Sequence, residues 1–209
     1  MIFLRYESFR SYLKLYPVTS ALIALNIVYF VIVAIAGSTT DYMHLYHYGA
    51  FVADKTFDPF GLVEPWRYVT SMFMHAGIEH LLFNMFALLV FAPPLERLLT
   101  SWKYAVFYLL CGIGGNFMVA LMEQSSIGVG ASGAIYGVYG AYLYISIFRK
   151  AWLDEGSRKT VYVILMMGVV YSLLIPKVSF WGHVGGALAG FLLYNLFDRA
   201  MVRRQRYRN

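Results

Sequence analysis

Charged residues are scarce in this chain of 209 residues. They make up 13% of the sequence, whereas a soluble domain usually contains about 25%. Crossing a bilayer takes about 20 apolar helical residues, within a range of roughly 17–25. The scarcity excludes an ordinary soluble domain and predicts an integral membrane protein. Six stretches contain no charged residue at all: 15–40, 80–95, 104–122, 124–148, 160–176 and 178–197.

These stretches predict an all-α membrane protein, built as a single domain over residues 1–209. The stretch 80–95 is short, but it gains length from the uncharged residues 68–78, with only Glu79 between them. The first stretch is too long for the core of a signal peptide, so we expect it to remain as a span. The six predicted transmembrane helices are 16–37, 78–96, 103–122, 131–148, 159–176 and 180–198.

Cysteine and buried acidic residues are also lacking. Cys111 is the one cysteine of the chain, which excludes an intrachain disulfide and a CxxC metal site. Four acidic residues mark the ends of spans, and none lies deep within one. This disfavours a two-aspartate intramembrane protease and a carboxylate proton relay, and no carboxylate is available to complete a catalytic triad. The four are Glu79, Glu96, Glu123 and Asp198.

The basic residues lie mostly on one side of the predicted membrane. If the N-terminus is inside, only Lys55, Arg67 and Lys177 of the 17 fall outside. Cytoplasmic loops are enriched in Lys and Arg, so both termini are predicted to be cytoplasmic. The basic tail predicts contact with the lipid bilayer rather than with nucleic acid. The inner residues are Arg5, Arg10, Lys14, Arg97, Lys103, Arg149, Lys150, Arg158, Lys159, Arg199, Arg203, Arg204, Arg206 and Arg208.

The connection between spans one and two, about residues 38–79, is long, apolar and aromatic. We expect it to lie partly in the membrane interface, with Trp66 and Tyr68 at the level of the headgroups.

Two sequence motifs resemble known binding motifs only in part. "GVGASG" at 128–133 has dinucleotide-binding spacing, but no strand is expected before it. His75 and His80 are five residues apart, whereas the zinc motif H-E-x-x-H requires four. Neither a dinucleotide nor a zinc ion is expected at these motifs.

A few polar residues fall where they would be costly in lipid. Ser132, His183 and the pair His80 and Asn84 each have a plain structural explanation, as small or polar contacts between helices. With the N-terminus inside, however, His80, Ser132 and His183 open spans two, four and six at a similar depth near the outer leaflet. This agreement favours one shared site.

Glycines indicate how these spans meet. Gly182, Gly186 and Gly190 recur every four residues, and Gly133 and Gly137 do the same beside the serine. Small residues at this spacing permit close contact between helices. We therefore expect spans four and six to pack together, with Ser132 near His183 and Tyr136 bracing the imidazole ring one turn away.

The residue types predict acyl-transfer chemistry. A serine hydroxyl becomes a good nucleophile when a neutral histidine takes its proton. The reaction also needs donors for the developing oxyanion. The backbone N–H of Ser132 and the side chains of His80 and Asn84 can supply them. A serine–histidine dyad is the expected catalytic arrangement.

These motifs resemble those of the rhomboid family of intramembrane serine proteases. The resemblance extends over about residues 15–200 and includes Trp66–Arg67, "HAGIEHLLFNM" at 75–85, "GASG" at 130–133 and "HVGGALAG" at 183–190. It implies a six-span core of the bacterial type, in a bacterial cell membrane and without metal or cofactor. Such a core cleaves transmembrane segments of membrane proteins near the outer face. The implied residues are Ser132 as nucleophile, His183 as general base, His80 and Asn84 with the Ser132 amide as oxyanion hole, and Tyr136, Gly130 and His75 in support.

Two other function classes stay open at this point. A non-catalytic chaperone or dislocase for membrane helices would not need both Ser132 and His183. A transporter or channel would place polar residues on both sides of the midplane, whereas the inner halves of these spans are almost wholly apolar. The sequence does not indicate a particular substrate or an oligomeric state.

Overall fold

The computed structural model describes residues 2–4, 6–123, 125–175 and 178–206, without the side chains of 125 and 200–206. Arg5, Lys177 and Arg208, which entered the charge argument, therefore lie outside the described residues. The side chains of Arg203, Arg204 and Arg206 also lie outside them.

The predicted apolar stretches form the long helices. Four described helices are long and apolar enough to cross a membrane: α2 (Pro17–Ala36), α5 (Ile78–Leu99), α6 (Ser101–Met122) and α8 (Glu155–Leu174). The other two predicted spans correspond to α7 (Ser132–Phe148), which has 17 residues, and α9 (Phe180–Arg206), which has 27. Short helices complete the described set: α1 (Phe9–Leu15), α3 (Tyr42–His47), α4 (Arg67–Thr70) and the 3-10 turns Ser71–Phe73 and Lys150–Trp152.

Two helices run past their predicted ends. Helix α5 continues from the expected end at 96 to Leu99, although it contains Pro93 and Pro94. Glu96 is therefore inside the helix, and its buried carboxylate accepts hydrogen bonds from the Val18 and Thr19 amides at 3.0 and 2.9 Å. A carboxylate is favourable there because the first N–H groups of α2 lack partners within their own helix. Helix α9 passes its predicted end at Asp198, whose carboxylate pairs with Arg149.

The centre of the bundle is α7, which packs against α9, α6 and α5. The predicted contact between spans four and six is confirmed. A Cβ atom added at Gly186 would overlap the carbonyl oxygen of Gly133, and one added at Gly190 would overlap that of Gly137. Because only glycine leaves this space, the two backbones touch. The first turns of α7 and α9 are held side by side as a result.

The connection before α5 contains more structure than the sequence predicted. Strand β1 (Phe51–Asp54) pairs antiparallel with β2 (Ser125–Gly128), with Phe51 opposite Gly128. The expectation that no strand precedes "GVGASG" was therefore wrong, and the mainly helical fold includes a two-stranded ribbon. Four-residue strands that pair across more than 70 positions leave no readable alternation in the sequence.

Aromatic and charged residues fix this connection to the bundle. Arg67 is buried and donates to the carbonyl oxygens of Tyr46 and Ala50 at 2.6 and 3.0 Å. Trp66 is about half exposed, as an interfacial side chain would be. Tyr68, in contrast, is buried and donates to the Phe60 carbonyl at 2.6 Å. Its ring packs on Phe51 within the connection, and its position at the headgroup level stays a prediction.

Candidate active site

A sharp turn precedes α7 and places Ser132 as the first residue of that helix. Gly130 has a φ of +130°, a conformation that essentially only glycine adopts without strain. Its N–H donates to the Ser71 carbonyl at 2.9 Å, which anchors the turn. Ser132 is half-buried. Its own N–H lies in the first turn, where helix amides have no acceptor within the helix.

The His80 ring lies against this turn. A Cβ atom added at Gly130 would come within 2.8 Å of His80 Nε2 and 3.7 Å of Ser132 Oγ. On its other side, His80 Nδ1 is 3.4 Å from the Ala76 N–H. An amide N–H only donates, so Nδ1 accepts and the ring proton is on Nε2. The ring therefore presents a donor toward the space beside Gly130 and Ser132.

His183 is held between α7 and α8. The residue is 8% exposed, and its imidazole is stacked on the Tyr136 ring, with centroids 3.9 Å apart and planes 6° apart. Tyr136 is one helical turn from Ser132, so the stack brings His183 to the part of α7 that carries the serine. The ring nitrogen Nδ1 of His183 is 2.7 Å from the Ser172 hydroxyl of α8.

Asn84 and His75 complete the predicted set. Asn84 is buried, and its side-chain N–H donates to the His80 carbonyl at 3.0 Å, so the amide retains a second hydrogen. His75 is 1% exposed and meets the His80 ring edge to face at 5.0 Å. Within the described residues, neither ring nitrogen of His75 has a partner. Burial first, and then nearby His80, lowers the pKa of His75 to about 3, so this ring is neutral near pH 7.

Comparison with known proteins identifies the family. The profile of the Rhomboid domain matches residues 63–199. YdcA, a rhomboid protein of Bacillus subtilis, is 32% identical over 208 residues, which are 97% of this chain and 100% of YdcA. The chain belongs to the rhomboid family.

Two further relatives are longer proteins. The rhomboid protease GluP of Bacillus subtilis is 31% identical over 83% of this rhomboid and 33% of its own length. The mitochondrial RHOMBOID-like protein 6 of Arabidopsis thaliana is 38% identical over 62% of this chain and 43% of its own. Family membership and the four apolar helices make this rhomboid a multi-pass membrane protein.

The structure also shows polar residues that the sequence reasoning missed. Ser172 contacts His183, and Ser71 supports the turn before α7 through its carbonyl. Asn116 in turn donates to the Ser71 hydroxyl at 3.0 Å. The rule that polar residues in apolar spans require an explanation applies to Ser172 and Asn116 as much as to Ser132. That rule was the signal that could have found them.

Gly130→Ala is expected to lower the rate of any reaction at Ser132 by about 100-fold. The new methyl group would collide with the His80 ring, and loss of one oxyanion donor typically costs 10²–10³ in kcat. Gly128→Ala is the matched control, because a Cβ at Gly128 has no atom within 4 Å. Measuring kcat of both variants for the same substrate in the same detergent checks this expectation. Equal activities would contradict the assignment of His80 to the site.

Proposed function

We propose that this rhomboid is a membrane-embedded serine endopeptidase that hydrolyses transmembrane segments of other membrane proteins near the outer leaflet. The observation that carries the proposal is the stack of His183 on Tyr136, one turn from Ser132, on two helices in backbone contact. The name of GluP, a rhomboid protease, supports the same activity. In this proposal Ser132 is the nucleophile and His183 the general base, without metal or cofactor.

The reaction proceeds in two halves. His183 Nε2 takes the proton of Ser132 Oγ as the oxygen attacks the carbonyl carbon of the substrate. When the C–N bond breaks, His183 returns the proton to the leaving amine and an acyl-enzyme remains. Water then gives a proton to His183 and attacks the ester. The carboxylic acid leaves, and the proton returns to Ser132.

The donors for the oxyanion come from two helices. The Ser132 N–H lies at the start of α7, where the helix dipole also favours negative charge. His80 donates through Nε2–H, since its Nδ1 faces the Ala76 amide. Asn84 has one side-chain hydrogen left after its bond to the His80 carbonyl. Removal of any one donor weakens transition-state binding more than substrate binding.

The proposal includes the topology predicted from the charges. Helices α7 and α9 complete six crossings, with both termini cytoplasmic in a bacterial cell membrane and the site on the outer side. Consecutive spans alternate in direction, so the first turns of α5, α7 and α9 all face one side. The contacts of His80 at Gly130 and of His183 at Tyr136 link the N-terminal ends of these helices. A single domain over residues 1–209 agrees with the packing of these helices around α7.

The expected partners are transmembrane substrates that unwind easily. Backbone carbonyls within a helix are hydrogen-bonded, so a stable helix resists attack. We expect cleavage where small or helix-breaking residues lie near the outer end of a span. The experiment uses purified protein in liposomes with two tagged single-span substrates, one with Gly and Pro near its outer end and one with Leu there.

Wild-type protein is expected to cleave the substrate with Gly and Pro near its outer end. The His183→Ala variant is expected to cleave neither substrate. A non-catalytic chaperone or dislocase would instead release or shield substrates without cleavage and would keep that function in Ser132→Ala. Intact substrates after incubation with folded wild-type protein would contradict the proposed hydrolysis. Mass spectrometry of the fragments locates the bond that is cut.

A further inference from the structure

Helix α8 places one buried hydroxyl against the site. Most of its side chains are exposed, and its buried residues are Ser157, Val161 and Ser172. Ser172 is 6% exposed, and its Oγ makes two short contacts. It donates to the Gly168 carbonyl at 2.7 Å and lies 2.7 Å from His183 Nδ1.

These two contacts select one tautomer of His183. A hydroxyl has one proton to donate and two lone pairs. The Gly168 carbonyl can only accept, so it takes the Ser172 proton. A lone pair of Oγ then faces His183, and Nδ1 must carry the hydrogen of that bond. Nε2 is left with a lone pair, which is the form a general base requires.

We propose that Ser172 is a positioning residue that holds His183 in its Nδ1–H tautomer. This inference rests on the proposed function, in which His183 Nε2 takes the serine proton. In a triad a carboxylate has this role, and the wrong tautomer there lowers kcat by about 10⁴. Within the described residues no carboxylate is hydrogen-bonded to His183, and the neutral hydroxyl of α8 occupies the position.

Local geometry explains how α8 comes close enough. Gly168 is one turn before Ser172, and a Cβ atom added there would overlap the Tyr136 hydroxyl. The absence of a side chain at Gly168 therefore lets the Tyr136 ring extend to α8. The same ring is stacked on His183. Stacking fixes the plane of the imidazole, and Ser172 fixes which nitrogen points toward α8.

Ser172→Ala should lower kcat about 10- to 100-fold with KM within about twofold, because a bond to the imidazolium formed during the reaction is lost. Ser172→Thr should retain most activity, since a helical threonine also bonds the carbonyl four residues back. Ser157→Ala, on the same helix, is the control for loss of a buried hydroxyl. It should affect stability and leave kcat near wild type.

The decisive measurement is ¹⁵N NMR of histidine-labelled protein in micelles, with His183→Gln used to assign the signals. Wild type and Ser172→Thr should show Nδ1–H at His183, and Ser172→Ala a mixture of tautomers. An Nε2–H tautomer in wild type would overturn the proposal, as would unchanged tautomer and kcat in Ser172→Ala. The NMR measurement needs no substrate, so it tests the tautomer separately from the protease activity. If only the protease proposal fails, His183 will still show Nδ1–H while no substrate is cleaved.

Discussion

Ser132→Ala is expected to lower kcat for substrate cleavage by about 10⁴- to 10⁶-fold. The substitution removes the oxygen atom that forms the acyl bond in the proposed reaction. We expect no water molecule to replace it as the nucleophile. KM should change little, because the hydroxyl contributes to the transition state and not to holding the substrate helix. Initial rates in proteoliposomes, measured over a range of substrate densities, separate kcat from KM.

Ser146→Ala provides the matched control on the same helix. Ser146 is buried, and its hydroxyl has no partner within the described residues. Its loss should leave kcat unchanged. Cleavage by Ser132→Ala at more than about a tenth of the wild-type rate would contradict its role as the nucleophile.

Gly186→Ala is expected to lower the free energy of unfolding by about 3 kcal/mol and to abolish cleavage. Overpacking usually costs about 1–3 kcal/mol, and here the added methyl group meets the carbonyl oxygen of Gly133 and its Cα at 3.2 Å. Backbone atoms cannot rotate away as a side chain can. Helices α7 and α9 must separate, which moves His183 away from the helix that carries Ser132.

Gly133→Ala tests whether the loss of stability depends on where the methyl group is added or only on its presence. A Cβ at Gly133 would lie 3.6 Å from the Gly182 carbonyl, an ordinary contact distance. Helix α7 of this variant should be at least as stable as in the wild-type protein, since alanine in a helix is more favourable than glycine by roughly 0.5–1 kcal/mol. Unfolding followed by circular dichroism in mixed micelles compares the two. Equal stability losses would show that the α7–α9 contact is not as close as described.

Much of the helical framework could be predicted because lipid imposes simple rules on a sequence. Charge-free stretches correspond to the long helices, and the glycine spacing predicted the contact between α7 and α9. Helix ends were less predictable. Charge marked the expected ends at Glu96 and Asp198, but partners from other elements allow both carboxylates to be buried within their helices. The β1–β2 ribbon depends on pairing between distant short segments, which leaves little local pattern.

Some contacts within the candidate site could be predicted from residue types and spacing. Ser132, His80 and His183 stood out as polar groups near helix starts, and spacing alone indicated that Tyr136 could brace a histidine. Tautomers could not be predicted, because they depend on single atoms from other segments. In our proposal the Ala76 amide sets the tautomer of His80 and the Ser172 hydroxyl that of His183. Where α8 lies relative to α9 is a matter of packing that the sequence of α8 does not encode locally.

The most direct test of an activated serine is labelling by a fluorophosphonate probe, which requires no knowledge of the natural substrate. Purified wild-type protein and Ser146→Ala should form one covalent adduct, and peptide mapping should place it on Ser132. Ser132→Ala and His183→Ala should remain unlabelled at the same probe concentration. Absence of an adduct on folded wild-type protein, or an equal adduct on Ser132→Ala, would contradict the catalytic dyad.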